Sequence, residues 1–153
     1  MCLKMPGDLE FLIRISVAFG LGSLIGLERQ FHQRGAGLRT TALVATGSAM
    51  FVFLSYHFDG LNETSPSRIA AGVVTGVGFL GAGVILREGF ALRGLTTAAT
   101  IWCAAAVGTL AGVGLLRFAF YGALAVLCAN VMLRPLSQFI DRRRGDDDTD
   151  ADP

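Results

Sequence analysis

The sequence contains little charge for a chain of 153 residues: charged side chains make up 16% and hydrophobic residues 52%, whereas soluble domains usually carry about 25% charge. The charges lie in short clusters, and the stretches between them are uncharged. These uncharged runs cover residues 15–27, 40–58, 69–86, 94–116 and 118–133. A helix needs about 20 apolar residues, with a range of roughly 17–25, to cross the hydrocarbon of a bilayer. Three runs reach that length as they stand, and the first and last reach it with one flanking charged residue at the interface.

A soluble bundle of very apolar helices is the alternative interpretation of these runs. It requires polar outer faces, and the five segments have none. We therefore predict an all-α fold, a polytopic transmembrane helix bundle with about five spans. The predicted helices cover residues 8–28, 40–58, 66–86, 95–112 and 116–134. The last helix ends before Pro135, which divides the chain into a transmembrane domain, 1–135, and a short cytoplasmic tail, 136–153, that we expect to be disordered.

Residue types that enzymes use for catalysis are scarce. The histidines are His32 and His57, and neither a G-x-S-x-G nor an H-E-x-x-H motif occurs, so we predict no catalytic residue and no enzymatic activity. Lys4 is the one lysine, which excludes a Walker A motif. The net charge of +1 provides no positive field for nucleic acid, and no nucleic-acid partner is expected.

Disulfides and nucleotide cofactors are not expected either. The three cysteines are an odd number and two of them lie in apolar runs, which is typical of free thiols. Gly76, Gly78 and Gly81 match the dinucleotide fingerprint G-x-G-x-x-G, but this motif binds a nucleotide only between a strand and a helix, with an acidic residue about 20 positions on. Here it lies inside an uncharged run, and the residues around position 101 are apolar or threonine. We therefore predict no cofactor.

The distribution of basic residues predicts an orientation in the membrane. With five spans, the loops 28–39 and 87–94 and the C-terminus share one side, which carries nine arginines. The other side, with the N-terminus, carries four basic residues. Because loops rich in Lys and Arg stay in the cytoplasm, we expect a cytoplasmic C-terminus and an N-terminus outside.

Glycine pairs spaced four residues apart occur in three of the runs: Gly22 and Gly26, Gly72 and Gly76, and Gly108 and Gly112. Small residues at this spacing form a flat helix face on which a second helix backbone packs closely in lipid. The pairs predict helix packing. Contacts within the chain and a contact face for a second chain both remain open at this stage.

Acidic side chains are nearly missing from the apolar runs. Glu10 has Arg14 four residues further on, on the same helix face, where the two charges neutralise each other. Glu28 and Glu88 lie at the ends of runs. Because Mg²⁺ prefers carboxylate and water oxygens as ligands, direct Mg²⁺ transport by this chain alone is disfavoured, and we assign no metal ligand.

The arginines that share a membrane face with Glu28 admit two interpretations. Arg29, Arg39, Arg87 and Arg93 converge on this face. They are either interfacial anchors whose charged ends reach into water, or parts of a buried polar cluster in which Glu28 neutralises one or two of them.

Several motifs of the sequence resemble the MgtC/SapB family. They are residues 25–30 (IGLERQ), 37–40 (GLRT), 66–71 (PSRIAA), 76–83 (GVGFLGAG) and 93–102 (RGLTTAATIW). These motifs stand in the family's order over about 25–112. The resemblance implies a bacterial inner-membrane protein with about five spans, linked to growth at low Mg²⁺ and, in some pathogens, to survival inside macrophages.

The resemblance also implies which residues carry the function. The residues that match the family's polar motif positions are Glu28, Arg29, Arg39, Arg68, Arg87, Arg93, Thr96 and Thr97. Classical members often have Asp at the position of Ser65 and Asn at the position of Thr96, so this chain lacks a carboxylate and a side-chain amide there. Longer members carry a cytoplasmic C-terminal domain, whereas about 19 residues follow Arg134 here; we therefore expect a short, SapB-type member.

The function that we favour on these grounds is a non-enzymatic regulator of membrane partners, with ATPases as the suspected class, that serves Mg²⁺ homeostasis. The alternative is a transporter or channel for Mg²⁺ or another solute. The expected surroundings are the lipid bilayer and other membrane proteins. A homo-oligomer is left open.

Overall fold

The chain forms a bundle of five helices in a computed structural model, which describes residues 7–32, 35–57, 66–88 and 91–149. The elements are α1 (Asp8–Phe31), α2 (Leu38–Leu54) with a 3-10 turn at Ser55–His57, α3 (Pro66–Gly83), the strands β1 (Leu86–Glu88) and β2 (Ala91–Arg93), α4 (Leu95–Val113) and α5 (Leu116–Thr149). The predicted all-α bundle is confirmed. The segments Asp8–Phe31, Leu95–Val113 and Leu116–Leu133 are long and apolar enough to cross a membrane. The apolar helices Leu38–Leu54 and Ser67–Gly83 are shorter, at about 26 Å each for 1.5 Å per residue.

The connection between α3 and α4, which the sequence predicts as a loop at 87–94, contains two short strands. α3 ends at Gly83 rather than at residue 86, and β1 and β2 pair as an antiparallel hairpin in which Leu86 lies opposite Arg93. Gly94 then takes φ +92°, a left-handed conformation that glycine adopts without steric cost. Its carbonyl accepts a hydrogen bond of 2.8 Å from the amide of Ala98, and this turn begins α4.

The expectation that the last helix ends before Pro135 is wrong. α5 continues through this residue to Thr149, so residues 136–149 are helical where the sequence predicted an unstructured tail. Proline removes one backbone hydrogen bond, to the carbonyl of Val131, but helices tolerate that loss in membrane segments. The arginines that follow are good helix formers. The division of the chain into a domain and a tail at residue 135 stays a prediction.

α2 lies between α1 and α4, and glycines make both contacts close. A Cβ added at Gly22 would lie 2.7 Å from the Cβ of Ala45, and one added at Gly112 would lie 2.6 Å from the carbonyl oxygen of Ala49. Cβ atoms added at Gly26 and Gly108 would likewise collide with α2. Two of the predicted glycine pairs therefore lie at helix contacts within the chain.

In the central part of the bundle, α1 runs antiparallel to both α2 and α4. α1 and α4 are antiparallel, because the last turn of α1 contacts the first turn of α4 and the first turns of α1 contact the end of α4. α2 and α4 are parallel, since Ala45 faces Gly108 and Ala49 faces Gly112. α2 and α4 both contribute to the two apolar clusters of the core, one with α1 and α5 and one with α3. They are therefore the central helices.

Candidate functional site

Arg29 lies at the end of the bundle where α1 stops and α4 begins. Its side chain is 3% exposed, and its Nη2 donates a hydrogen bond of 2.6 Å to the Oγ1 of Thr97. Thr97 is itself buried in the first turn of α4. A buried guanidinium requires such partners because burying a charge without them is very costly. The structure thus brings two of the eight predicted polar residues into direct contact.

Glu28 precedes Arg29 and has a largely buried carboxylate. Its Oε1 lies 3.1 Å from the Nδ1 of His32, an ion pair when the imidazole is protonated. The same Nδ1 lies 2.8 Å from the carbonyl oxygen of Glu28. The other carboxylate oxygen, Oε2, is buried and has no hydrogen-bond partner among the described residues. We name Glu28, Arg29 and Thr97 the Arg29 site.

The connection from α1 to α2 folds over this site. The side-chain Oε1 of Gln30 accepts a hydrogen bond of 3.2 Å from the amide of Leu38, where α2 begins. The Oγ1 of Thr41 donates one of 3.1 Å to the carbonyl of Gly37. A Cβ at Gly35 would lie 3.8 Å from the Cγ2 of Thr97, so this connection contacts the beginning of α4.

The remaining predicted polar residues do not share the buried environment of the Arg29 site. Arg39, Arg68, Arg93 and Thr96 are exposed. Arg68 lies in the first turn of α3, while the C-terminal part of α3 faces α4 near Ala98, which places Arg68 at the opposite end of the bundle. The side chain of Arg87 lies outside the described part of the structure.

A second buried arginine, Arg14, occupies that opposite end. Its Nη1 donates a hydrogen bond of 2.7 Å to the carbonyl of Gly112, and its Nη2 donates one to Glu10. The predicted neutralisation of Arg14 by Glu10 is therefore confirmed. The guanidinium carbon also lies 5.7 Å and 5.2 Å from the ring centroids of Phe53 and Tyr56, within the range of cation–π attraction. We name these four side chains, Glu10, Arg14, Phe53 and Tyr56, the Arg14 site.

The Arg14 site completes the C-terminal end of α4. The Tyr56 hydroxyl donates a hydrogen bond of 3.0 Å to the carbonyl of Val113, next to the carbonyl that Arg14 binds. The last carbonyls of a helix lack intrahelical partners and carry partial negative charge, so a buried cation is favourable here. Gly114 takes φ +94° and lies so close that a Cβ would be 2.9 Å from the Nη2 of Arg14.

The contact of Arg14 with α4 was missed from the sequence. The i, i+4 spacing accounts for Glu10, but nothing in the spacing shows that Arg14 reaches a carbonyl 98 residues away. One signal was present: a charge inside a membrane segment normally faces the bundle interior and has a partner there. Tyr56, which donates a hydrogen bond beside Arg14, was not among the predicted site residues either.

An apolar groove opens between α2 and α3, with a volume of about 750 Å³. It is lined by Leu43, Val44, Gly47, Ser48, Phe51, Ile69, Gly72, Val73, Gly76, Val77 and Leu80. The Ser48 hydroxyl donates to the carbonyl of Val44 at 2.8 Å and is thereby satisfied. Gly72 and Gly76 have no described atom within 4 Å of an added Cβ. This α2–α3 groove therefore suits apolar surface and contains no titratable group.

Metal ligands are not clustered in the described ranges: no three His, Cys, Asp or Glu side chains there come close enough to hold an ion. Glu10 is paired with Arg14, and Glu28 lies next to Arg29 in sequence. The buried charges of both sites include a cation, which opposes a divalent cation by repulsion.

Comparison with known proteins gives a consistent result. Residues 15–139 match the sequence model of the MgtC family. An uncharacterized protein of Synechocystis is 55% identical over 134 residues, which is 88% of this chain and 56% of that protein. Protein MgtC of Salmonella typhimurium is 51% identical over 132 residues, 86% of this chain and 56% of the relative. Protein MgtC of Brucella abortus is 53% identical over 131 residues, 84% of this chain and 54% of the relative.

The chain therefore spans little more than half the length of these relatives. No solved structure matches it.

Proposed function

The chain belongs to the MgtC family of membrane proteins, and from this premise we propose that it is a non-enzymatic protein of the bacterial inner membrane. We propose that it supports Mg²⁺ homeostasis and growth at low Mg²⁺ by contacting the membrane helices of other proteins, with ATPases as the suspected class. The five apolar helices would span the membrane with the N-terminus outside and the C-terminus in the cytoplasm. Reporter fusions at the two termini test that orientation, and a cytoplasmic N-terminus would contradict it.

The observation that carries this proposal is the contrast between the glycine pairs. The pairs in α1 and α4 hold α2 in close contact, whereas Gly72 and Gly76 of α3 face the open α2–α3 groove. In lipid, small residues on one helix face allow a second backbone to approach closely. α3 therefore has the same kind of small-residue face that packs against α2 elsewhere in the chain. No helix of the described residues packs closely on this face.

The charges of the interior support a regulator over a Mg²⁺ transporter. Arg14 and Arg29 are the buried charged side chains of the described core, and both are cations. A conduction path for a divalent cation is normally lined by carboxylates or carbonyls. One feature favours the transporter alternative, the buried Oε2 of Glu28, which has no hydrogen-bond partner in the described ranges.

Filling the groove tests the regulator. In a strain that depends on this protein for growth at low Mg²⁺, we expect Gly72→Leu and Gly76→Leu to abolish growth, because the new side chains occupy the surface that a partner helix would contact. Both sites have room for a side chain, so the amount of protein in the membrane should stay normal on an immunoblot.

Gly78→Leu is the matched control. Gly78 lies on α3, is exposed and has no described atom within 4 Å of an added Cβ, but it does not line the groove. Growth with this variant should equal that with the native chain. Normal growth with Gly72→Leu and Gly76→Leu at normal protein levels would contradict the proposal.

Mg²⁺ uptake into proteoliposomes that contain only the purified protein tests the transporter alternative. We expect no uptake above empty vesicles, because each buried site contains an arginine, which repels a divalent cation. Glu28→Gln and Arg39→Ala are the variants to compare. Uptake by the native chain that is lost in Glu28→Gln would establish the transporter and overturn the regulator as the primary function.

A further inference from the structure

Two buried arginines of α1 each hold one end of α4. At one end Arg14 donates to the carbonyl of Gly112 at 2.7 Å, and at the other Arg29 donates to the hydroxyl of Thr97 at 2.6 Å. Both arginines are buried, with exposures of 8% and 3%. The two contacts join the same pair of helices and are independent of the α2–α3 groove.

The spacing of the two contacts is the same on both helices. Arg14 and Arg29 are fifteen residues apart on α1, and Thr97 and Gly112 are fifteen residues apart on α4. At 1.5 Å per residue, this spacing is about 22 Å. One antiparallel register therefore satisfies both hydrogen bonds, and a slip of one helical turn, about 5.4 Å, breaks both.

The side chains between the two contacts are small or aliphatic and do not by themselves select this register. On α1 they are Ala18, Leu21 and Ile25, and on α4 Val107 and Ala111 belong to the same apolar cluster. Aliphatic contacts are non-directional, and lipid provides no hydrophobic force that favours one helix alignment. A hydrogen bond has strict geometry and a buried charge is costly to leave unpaired.

We propose that Arg14 and Arg29 form a double clamp that fixes α4 against α1 in a single register across the bundle. Each arginine secures one end of α4, and either contact alone is enough to exclude the slipped alignment. The two ends of the bundle, some 22 Å apart by helix rise, are thereby coupled: the Arg29 site and the Arg14 site form and break together when the register changes.

Cysteine cross-linking in membranes measures the register directly. The native cysteines are replaced by Ala, and disulfide formation is compared for two pairs. Ala18→Cys with Val107→Cys joins two members of one apolar cluster in the register of the clamp, and Ala18→Cys with Ala111→Cys matches a slip of one turn. We expect the first pair to form at least about tenfold faster, because one turn moves the partner by about 5.4 Å.

Clamp variants in this background test the coupling. Arg14→Met or Thr97→Val alone should change the ratio of the two disulfides by less than about twofold. The two substitutions together should bring the ratio close to one. This outcome differs from simple additivity, which is normal for substitutions at sites this far apart. Arg14→Lys, which retains a donor for the carbonyl of Gly112, should protect the ratio better than Arg14→Met in combination with Thr97→Val. A role of Arg14 in packing alone would make Lys and Met equivalent.

Thr100→Val is the matched control and should leave the ratio unchanged, because the Thr100 hydroxyl donates to the carbonyl of Thr96 within α4 and takes no part in the clamp. An unchanged ratio in the double variant would overturn the proposal, as would equal rates for the two pairs in the native background. If Arg14→Met with Thr97→Val does not accumulate, Arg14→Lys with Thr97→Val must still lower the ratio by at least about twofold, since the Arg29 contact is lost and the Arg14 contact is weakened. No change in that pair would overturn the proposal equally.

Discussion

At the scale of single residues, glycine and arginine have the clearest structural roles in this chain. Gly26 lies so close to α2 that an added Cβ would collide with Thr41 and Leu38. Arg14 binds a helix end, a carboxylate and two aromatic rings at once. The sequence alone reveals few of these contacts, because most of the partners lie on other helices.

Gly26→Ala should destabilise the protein, by about 1–3 kcal/mol for overpacking of a tight contact. The added methyl group has no space between α1 and α2, so these helices must separate. Thermal unfolding of the purified protein in detergent measures the change. Gly78→Ala is the control: its site is open, and alanine is the better helix former by about 1 kcal/mol, so its stability should be equal or higher. Equal stability of the native chain and Gly26→Ala would contradict the close packing.

At the scale of elements, α5 is distinguished by the proline that it contains. The helix continues through Pro135 to Thr149, although the carbonyl of Val131 loses its intrahelical donor there. This break lies just beyond the apolar segment Leu116–Leu133. It is therefore a weak point between the membrane part of α5 and the part that follows.

Pro135→Ala should slow hydrogen exchange of the amides at 136–139, because alanine restores the missing donor and removes the steric clash of the proline ring. Exchange followed by mass spectrometry over this segment measures the effect. Pro66→Ala is the control, because Pro66 is the first residue of α3, where an amide has no intrahelical partner. Unchanged or faster exchange at 136–139 would show that Pro135 does not weaken α5.

At the scale of the whole molecule, the bundle divides into a tightly packed centre and two peripheral helices, α3 and α5. α1, α2 and α4 contact each other through glycines and through the two arginine sites. α3 has three buried residues in the described structure, Val73, Val77 and Gly81, and an open groove separates it from α2.

We expect α3 to open more easily than the centre, because local stability follows the number of buried contacts. In hydrogen exchange of the protein in lipid nanodiscs, amides of α3 should exchange faster than those of α4 at matched depth. The apolar helix α4 has nine buried residues, which makes it the reference. Equal protection of the two helices would contradict a peripheral α3.

The sequence by itself determined the class of the protein and the positions of its helices. Long uncharged runs have one physical solution in lipid, since a helix satisfies its own backbone hydrogen bonds, and each run overlaps one helix of the structure. The family was also evident from motifs that the comparison then matched over residues 15–139. The rule that a helix ends before a proline failed at Pro135, because the loss of one backbone donor did not end α5.

Only the tertiary structure decided which predicted residues meet. The spacing of Gly22, Gly72 and Gly108 with their partners is identical, yet two pairs contact α2 and the third faces a groove. Of the predicted polar residues, Arg29 and Thr97 form a buried hydrogen bond while Arg39 stays exposed, and the contact between Arg14 and Gly112 was not foreseen. The physical reason is that local sequence sets helix formation and the faces of each helix, whereas the partner of a face depends on how distant helices pack.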